Sequence, residues 1–457
     1  MDAIPDRTTF FRRDATGSPT WQSWPFPRIG AEPAPQRPRS CLLVGFWGVP
    51  NFGDEWLLRC AQAFARDWLP HNRPTVMVHS SEIERRLGQH RAGVRMLDGF
   101  FPDPRFFRSL PSLIAELGRS DITLIGGGGL INDRYTAASI PRYAVPALMS
   151  IVRGVPVLWW GLGVAAPRGR LLRRLAFATL RLSTRVLVRD RDSQRQLRAE
   201  GVLAQLSDDL SALSPPSPDL RAGAFERVLV VNFRDDDPAL AAGRLGYVAA
   251  SRRHFDRIVL LAAEPGDEAL YRTLMAALDP SRPGAGVEIL RASDYAGIQR
   301  ELSGAALVVS ERLHVSLFAL GAGAPTIVLS YEGKVDAVVG RLYPQARITL
   351  RDAFWRDEGV RLAAVPSTGT VAAVSPASLA AQLASELAAA IETRPAPSDR
   401  LLAALWLGAL LPMGAAVAAA IWAKRALRRA AADRPYEPTA TTFAIDGTPA
   451  TSIANRR

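Results

Sequence analysis

The stretch Ala305-Ala306-Leu307-Val308-Val309-Ser310-Glu311-Arg312-Leu313-His314-Val315-Ser316-Leu317-Phe318-Ala319-Leu320-Gly321 decides the fold. Its opening run, Ala305 to Ser310, is almost continuously apolar and reads as a strand buried on both faces, the kind found in parallel sheets. Val315 to Leu320, closed by Gly321 and Gly323, reads as a short buried helix. Between them stand a fixed cation, Arg312, and a titratable imidazole, His314. Ligands of open α/β sheets bind at the carboxyl ends of strands, and helix N-termini favour anions. The segment therefore predicts an α/β fold with an anionic ligand at this strand end.

A second unit of the same kind lies near the start of the chain. After the strand-like Cys41-Leu42-Leu43-Val44-Gly45-Phe46 comes Trp47-Gly48-Val49-Pro50-Asn51-Phe52-Gly53-Asp54-Glu55, then the helical apolar pattern of Trp56, Leu57, Leu58 and Ala61. Gly53 permits a tight strand-to-helix turn. Asp54 and Glu55 either stabilise a helix start through its dipole or carry chemistry with Arg312 and His314.

Together these segments resemble the polysaccharide pyruvyl transferase family, whose members carry an Asn-x-Gly-Asp-Glu turn near the N-terminus and a Ser-x-Arg-Leu-His segment in the second half. Here they read Asn51-Phe52-Gly53-Asp54-Glu55 and Ser310-Glu311-Arg312-Leu313-His314. Further matches follow in the same order: Gly126 to Gly129 after Asp121-Ile122-Thr123-Leu124-Ile125, Gly161-Leu162-Gly163 after Val157-Leu158-Trp159-Trp160, Val188-Arg189-Asp190, and Ser330-Tyr331-Glu332-Gly333-Lys334-Val335. The resemblance spans roughly Ser40 to Ala390.

Alternation of apolar runs with helical patterns sets the domain plan. Strands are expected at Cys41–Phe46, Thr75–His79, Ile122–Ile125, Val155–Trp160 and Val186–Val188, and, after the linker-like Ser214-Pro215-Pro216-Ser217-Pro218, at Arg227–Asn232, Arg257–Leu261, Val287–Leu290, Ala306–Val309 and Thr326–Leu329. The expected architecture is two Rossmann-like α/β domains facing a cleft in a GT-B-like arrangement, as the family resemblance also implies. The plan is an N-terminal extension over 1–39, a first domain over 40–213, a linker over 214–224, a donor-binding second domain over 225–393, an apolar segment with a basic flank over 398–429, and a disordered tail over 430–457.

Composition narrows the function. A chain of 457 residues with 48% hydrophobic content builds more than one folded core. The net charge of +12 suits nucleic acid, anionic lipid or acidic substrates, yet the basic residues are dispersed and carry no nucleic-acid motif, so nucleic acid is not an expected partner. Cys41 and Cys60 provide neither a disulfide framework nor a metal site, and no metal is expected. The beginning, Met1-Asp2-Ala3-Ile4-Pro5-Asp6-Arg7, has no secretory apolar core, so a cytoplasmic location is expected. Leu401 to Ala423 has no charged residue and precedes Lys424-Arg425-Ala426-Leu427-Arg428-Arg429. It is long enough to span a bilayer, but its alanines, glycines and Pro412 also suit packed helices or an in-plane anchor. A single span with the basic flank inside would leave the catalytic domains outside. An interfacial or re-entrant attachment to the cytoplasmic face of the inner membrane is therefore expected.

The resemblance implies that phosphoenolpyruvate donates its three-carbon unit to two sugar hydroxyls as a cyclic ketal and releases phosphate, with no cofactor. A sugar or lipid-linked oligosaccharide is the implied acceptor. The donor's carboxylate and phosphate call for fixed cations, and the candidates are Arg312, Arg234 at the end of the strand Val228–Phe233, and Lys334. Imidazole side chains ordinarily ionise near neutrality, so His314 suits either delivery of a proton to the methylene carbon or removal of one from a hydroxyl. Asp54 or Glu55 is the candidate hydroxyl base, Asn51 the candidate acceptor ligand, and Gly127 and Gly128 are candidates for close approach of an acceptor phosphate or of the other domain. The alternatives are a glycosyltransferase on the same scaffold and a catalytically silent, membrane-attached polysaccharide-assembly protein.

Overall fold

The computed structural model describes residues 11–13, 19–21, 40–68, 74–79, 95–133, 136–213, 227–234, 237–278, 284–357 and 376–432. The expected linker over 214–224 and most of the expected tail over 430–457 lie outside the described residues. Within the N-terminal extension, β1 (Phe11–Arg13) pairs antiparallel with β2 (Pro19–Trp21).

Two doubly wound sheets follow. The first contains β3 (Cys41–Val44), β4 (Thr75–Val78), β5 (Arg95–Asp98), β6 (Ile122–Ile131), β7 (Val157–Val164), β8 (Arg185–Val188) and β9 (Gln205–Leu206) in the order β5-β4-β3-β6-β7-β8-β9. The second contains β10 (Val228–Asn232), β11 (Arg257–Leu261), β12 (Gly286–Leu290), β13 (Leu307–Ser310), β14 (Thr326–Ser330) and β15 (Arg347–Leu350) in the order β12-β11-β10-β13-β14-β15. All pairings in both sheets are parallel. Each order reverses once, beside its first strand, which is the Rossmann pattern with its ligand crevice at the carboxyl ends around the reversal. The crevices lie after β3 and β6 in one domain and after β10 and β13 in the other.

Continuous burial of β3, β7, β10 and β14 explains their unbroken apolar runs, since helices cover both faces. The sequence pattern misses β5, β9 and β15. All three are edge strands with part-exposed residues, and β9 is short besides, so each lacks the fully apolar signal.

The division between domains departs from the sequence plan at the C-terminal end. Helix Pro376–Glu392, expected within the second domain, packs on the short helix Leu210–Leu213 and on β7 of the first. Its inward residues Leu379, Leu383, Leu387 and Ala390 recur at helical spacing and are buried. The final helix, Pro397–Ala432, then packs on helices Pro104–Leu117, Ser139–Val152 and Arg170–Leu182. The chain thus returns to its first domain, completing a GT-B-like arrangement. Pro412 does not divide the last helix, which is continuous from Pro397 to Ala432, so the re-entrant pair of helices is not formed.

Candidate functional site

The two crevices meet at one place. Helix Phe52–Trp68 starts after β3, and its first turn enters the second domain: the backbone N–H of Phe52 donates to the Ala263 carbonyl at 2.9 Å. Phe52 packs against Tyr295 and Phe318 at ring-centroid distances of 5.2 and 5.4 Å, and Trp56 meets Phe318 at 5.2 Å. Asn51 caps the turn, accepting at Oδ1 from the backbone N–H groups of Gly53 and Asp54. Its Nδ2 donates to Glu264 of the second domain at 3.3 Å. Asn51 therefore spends its side chain on the turn and the domain contact.

His314 lies in the first turn of helix Leu313–Gly321 and faces Gly53, where a Cβ atom would lie 2.5 Å from Nδ1. The edge of Trp56 closes another side of the ring. Its Nε2 sits 3.6 Å from Oδ1 of the buried Asp209, too far for a hydrogen bond, and is itself buried without a hydrogen-bond partner among the described residues. Asp209 in turn accepts from Nη1 of Arg189 at 2.5 Å, and both side chains are buried. Burial alone would raise the Asp209 carboxyl, but Arg189, His314 and the Ser211 backbone hold it far below the usual carboxylate range. Arg189 Nε is also buried without a hydrogen-bond partner among the described residues. Buried orphan donors and acceptors of this kind are uncommon in folded proteins.

Glycines make this packing fit. A Cβ at Gly163 would lie 3.1 Å from Nη2 of Arg189, and Gly161, with φ of +56°, places Leu210 3.1 Å from its own missing Cβ. Gly161-Leu162-Gly163, within β7 rather than in a turn after it, thereby makes room for Arg189 and for the Asp208–Leu210 segment. Gly127 and Gly128 lie inside β6, with φ of +77° and +105°, and the register slips beyond Gly128. Gly127 abuts Leu57 and Leu210, while Gly128 is 4.0 Å from Asp54 Oδ1 measured from a built Cβ.

Asp54 and Glu55 separate in role. Burial first, then the neighbouring Glu264, raises the Asp54 carboxyl to about 8, against the lowering pull of Arg312 and Arg189. At neutral pH it is mostly protonated. Glu55 is only 2% exposed and lies within electrostatic reach of Arg59 and Tyr295 at the domain interface. Arg59 itself stacks over the Tyr295 ring at 4.0 Å.

The cations also divide. Arg312 is the N-cap of its helix, yet its Nε and Nη2 are taken by Asp267 and Glu264, at 3.1, 2.5 and 2.5 Å. Through Nε and Nη2 it forms a clamp between the ends of β11 and β13, because the strand reversal brings Glu264 and Asp267 beside it. Arg234 follows β10, donates from Nη1 to the Tyr331 hydroxyl at 2.8 Å and lies over that ring. Lys334 stands in the first turn of helix Gly333–Leu342, rather than in a loop, and pairs with Glu332 at 2.7 Å. Burial lowers its ammonium below the ordinary lysine value, Glu332 opposes this, and Arg189 and Arg234 push it further down. Two cations, one from each domain, thus lie within electrostatic reach of Lys334.

Glu311, inside the Ser310-to-His314 segment, escaped the sequence reading. Its carboxylate accepts from Arg244 through Nε and Nη2, from Trp355 Nε1 at 2.7 Å and from the Arg234 backbone at 3.0 Å. It ties together the two strand ends that carry Arg234 and Arg312. Asp209 and Arg189 were also missed as site residues; the Val188-Arg189-Asp190 motif was the available signal for the second, and Asp209 had none.

The chain resembles UDP-GlcNAc 2-epimerase from Neisseria meningitidis, bound to UDP-GlcNAc, at 13% identity and a TM-score of 0.49, covering 76% of this chain and 99% of that one. It resembles Anabaena HepE, in complex with UDP and glucose, at 14% identity and a TM-score of 0.44, covering 81% of this chain and all of that one, to 100%. Likeness at this level carries no argument. No curated protein matches the sequence. The family model described as polysaccharide pyruvyl transferase matches residues 51–333, the interval that runs from the Asn51 turn to the start of the Lys334 helix, and the chain belongs to that family.

Proposed function

We propose that this protein transfers the pyruvyl unit of phosphoenolpyruvate to two hydroxyls of one sugar in an envelope or extracellular polysaccharide precursor, forming a cyclic ketal and releasing phosphate. The observation that carries this reading is the pair of orphaned buried atoms, Arg189 Nε and His314 Nε2, set beside Asp209 near Lys334 and Arg234. An oxyanion ligand and a hydroxyl group would satisfy both.

The roles follow from protonation. Arg189, Arg234 and Lys334 take the donor's carboxylate and phosphate. Neutral Asp54 delivers its proton to the methylene carbon, which becomes a methyl group while the central carbon becomes electrophilic. One sugar hydroxyl attacks that carbon and gives its proton to His314, whose imidazolium is stabilised by Asp209. Phosphate then leaves with the carbon–oxygen bonding pair, the second hydroxyl attacks, and its proton restores Asp54. The proton on His314 leaves with phosphate. Asn51, Glu55 and Arg312 position these groups through the domain contact, Gly127 lets Leu57 and Leu210 pack beneath the site, and Gly128 keeps space open beside Asp54 for the acceptor. No cofactor takes part.

Location follows from the substrates. Phosphoenolpyruvate is cytoplasmic, so the enzyme works on the cytoplasmic side, and its apolar C-terminal helix supports work at the inner membrane on a lipid-linked acceptor. Incubation with phosphoenolpyruvate and a panel of sugars tests the reading, with phosphate release and acceptor mass as readouts. A mass gain of one pyruvyl ketal with stoichiometric phosphate is expected, and His314→Ala should lower turnover by about a hundredfold or more. Activity with nucleotide sugars instead would favour glycosyl transfer.

A further inference from the structure

The C-terminal helix presents two faces of different fate. Ala403, Leu407 and Ala418 are buried against the first domain, and Gly414 meets the Phe101 ring so closely that no side chain fits there. Leu401, Leu402, Leu405, Met413, Val417 and Trp422 are exposed on the other side, and only 22% of the most apolar window is buried. A core helix would be mostly covered. The exposed face carries no charge from Leu401 to Ala423, about 35 Å at 1.5 Å per residue.

Cations frame this apolar strip. Arg394 and Arg400 are exposed at its beginning and Lys424 at its end. The helix Arg170–Leu182 packs against the same helix, and its Leu171 is 60% exposed. On its outer side Arg170, Arg173, Arg174 and Arg181 line a cavity of about 240 Å³ with Phe177 and Glu200. Glu200 pairs with Arg173, and its backbone carbonyl accepts from Arg181, while Arg170 and Arg174 have no ionic partner among the described residues.

We propose that the exposed face of helix Pro397–Ala432 and the arginines of helix Arg170–Leu182 form a docking surface for an anionic lipid bilayer, on which the helix lies in the plane of the membrane. This rests on the membrane association proposed above and names its mode and its lipid. The apolar face enters the acyl boundary, the end cations reach the headgroups, and the arginine cavity takes lipid phosphate. Spanning is incompatible with the fold, because Ala403, Leu407 and Gly414 would have to leave the domain they pack on. A second copy would be a poorer occupant, since a two-fold contact would bring the same arginines together.

Vesicle sedimentation of the full chain tests this without any substrate, so its failure leaves pyruvyl transfer standing. Binding to phosphatidylcholine vesicles containing phosphatidylglycerol is expected, with release at high salt or in alkaline carbonate. Arg170→Ala with Arg174→Ala should weaken binding by about fivefold for each arginine removed, as one basic residue contributes near an anionic surface. Leu405→Glu should abolish binding while the thermal transition of the protein is kept. Equal binding to pure phosphatidylcholine, insensitivity to Leu405→Glu, or retention after carbonate would overturn the proposal, the last in favour of a span. Absence of binding, with a dimer that Leu405→Glu dissociates, would assign the face to a second copy and overturn it equally.

Discussion

Gly53 and His314 meet across the domain boundary with no space for a methyl group, since a Cβ on Gly53 would lie 2.5 Å from the imidazole Nδ1. The first turn of one domain's helix thereby sets the position of the other domain's titratable ring. Gly53→Ala should force the ring away from Asp209 and cost about 1–3 kcal/mol by overpacking. Turnover is expected to fall far more than stability, and kcat measured beside Tm checks the difference.

Asp54 should impose an alkaline limit. Its carboxyl is raised to about 8, so the proton-donating form is lost as pH climbs through that value. kcat/KM should decline above about pH 8 in consequence. The same shift acts on stability in the opposite sense to a salt-bridged carboxylate: the folded state binds the proton more tightly than the unfolded chain. Stability therefore falls as pH rises from the ordinary Asp value near 4 towards about 8 and levels off beyond. Asp54→Asn should remove this slope and the activity together; a retained alkaline limb in a still active variant would move the proton donor elsewhere.

Arg312→Lys should act on the clamp rather than on donor binding. A lysine cannot bond Asp267 and Glu264 simultaneously through a planar fork, so two acidic groups are left poorly paired. Stability should drop by about 2–4 kcal/mol, with kcat reduced and the KM for phosphoenolpyruvate little changed. A selective rise in donor KM would return Arg312 to the ligand.

Glu311→Gln should be among the most damaging single changes. The carboxylate is buried against Arg244, whose side chain is 1% exposed, and losing its charge leaves that guanidinium uncompensated. Removing one partner of such a pair costs about 3–5 kcal/mol. Denaturant unfolding should show this loss, and Arg244→Met paired with Glu311→Leu should recover part of it.

Asp209→Asn separates orientation from stability. The variant removes the charge that faces His314 and Arg189, so kcat should fall by about a hundredfold while the KM for phosphoenolpyruvate changes little. Full turnover would exclude Asp209 from the mechanism.

The sequence by itself determined the two α/β domains and the strand-end positions of Arg234 and His314, because strands buried on both faces leave continuous apolar runs and their turns leave glycines. It also marked the charge-free C-terminal segment, whose length needs no tertiary context to be seen. Edge strands β5 and β15 were not legible, since a partly exposed strand has no unbroken apolar run. Tertiary structure alone decided which charges are free. Arg312 is neutralised by Glu264 and Asp267, residues 48 and 45 positions away that the crossing of β10 brings to the end of β13. Asp209 reaches His314 from the other domain, over a separation that no local pattern records. Likewise, the final helix became buried along one narrow face only because the chain returned to its first domain, leaving that face on protein and the other apolar face open. Composition fixes how apolar a segment is, whereas packing decides which side of it meets water, protein or lipid.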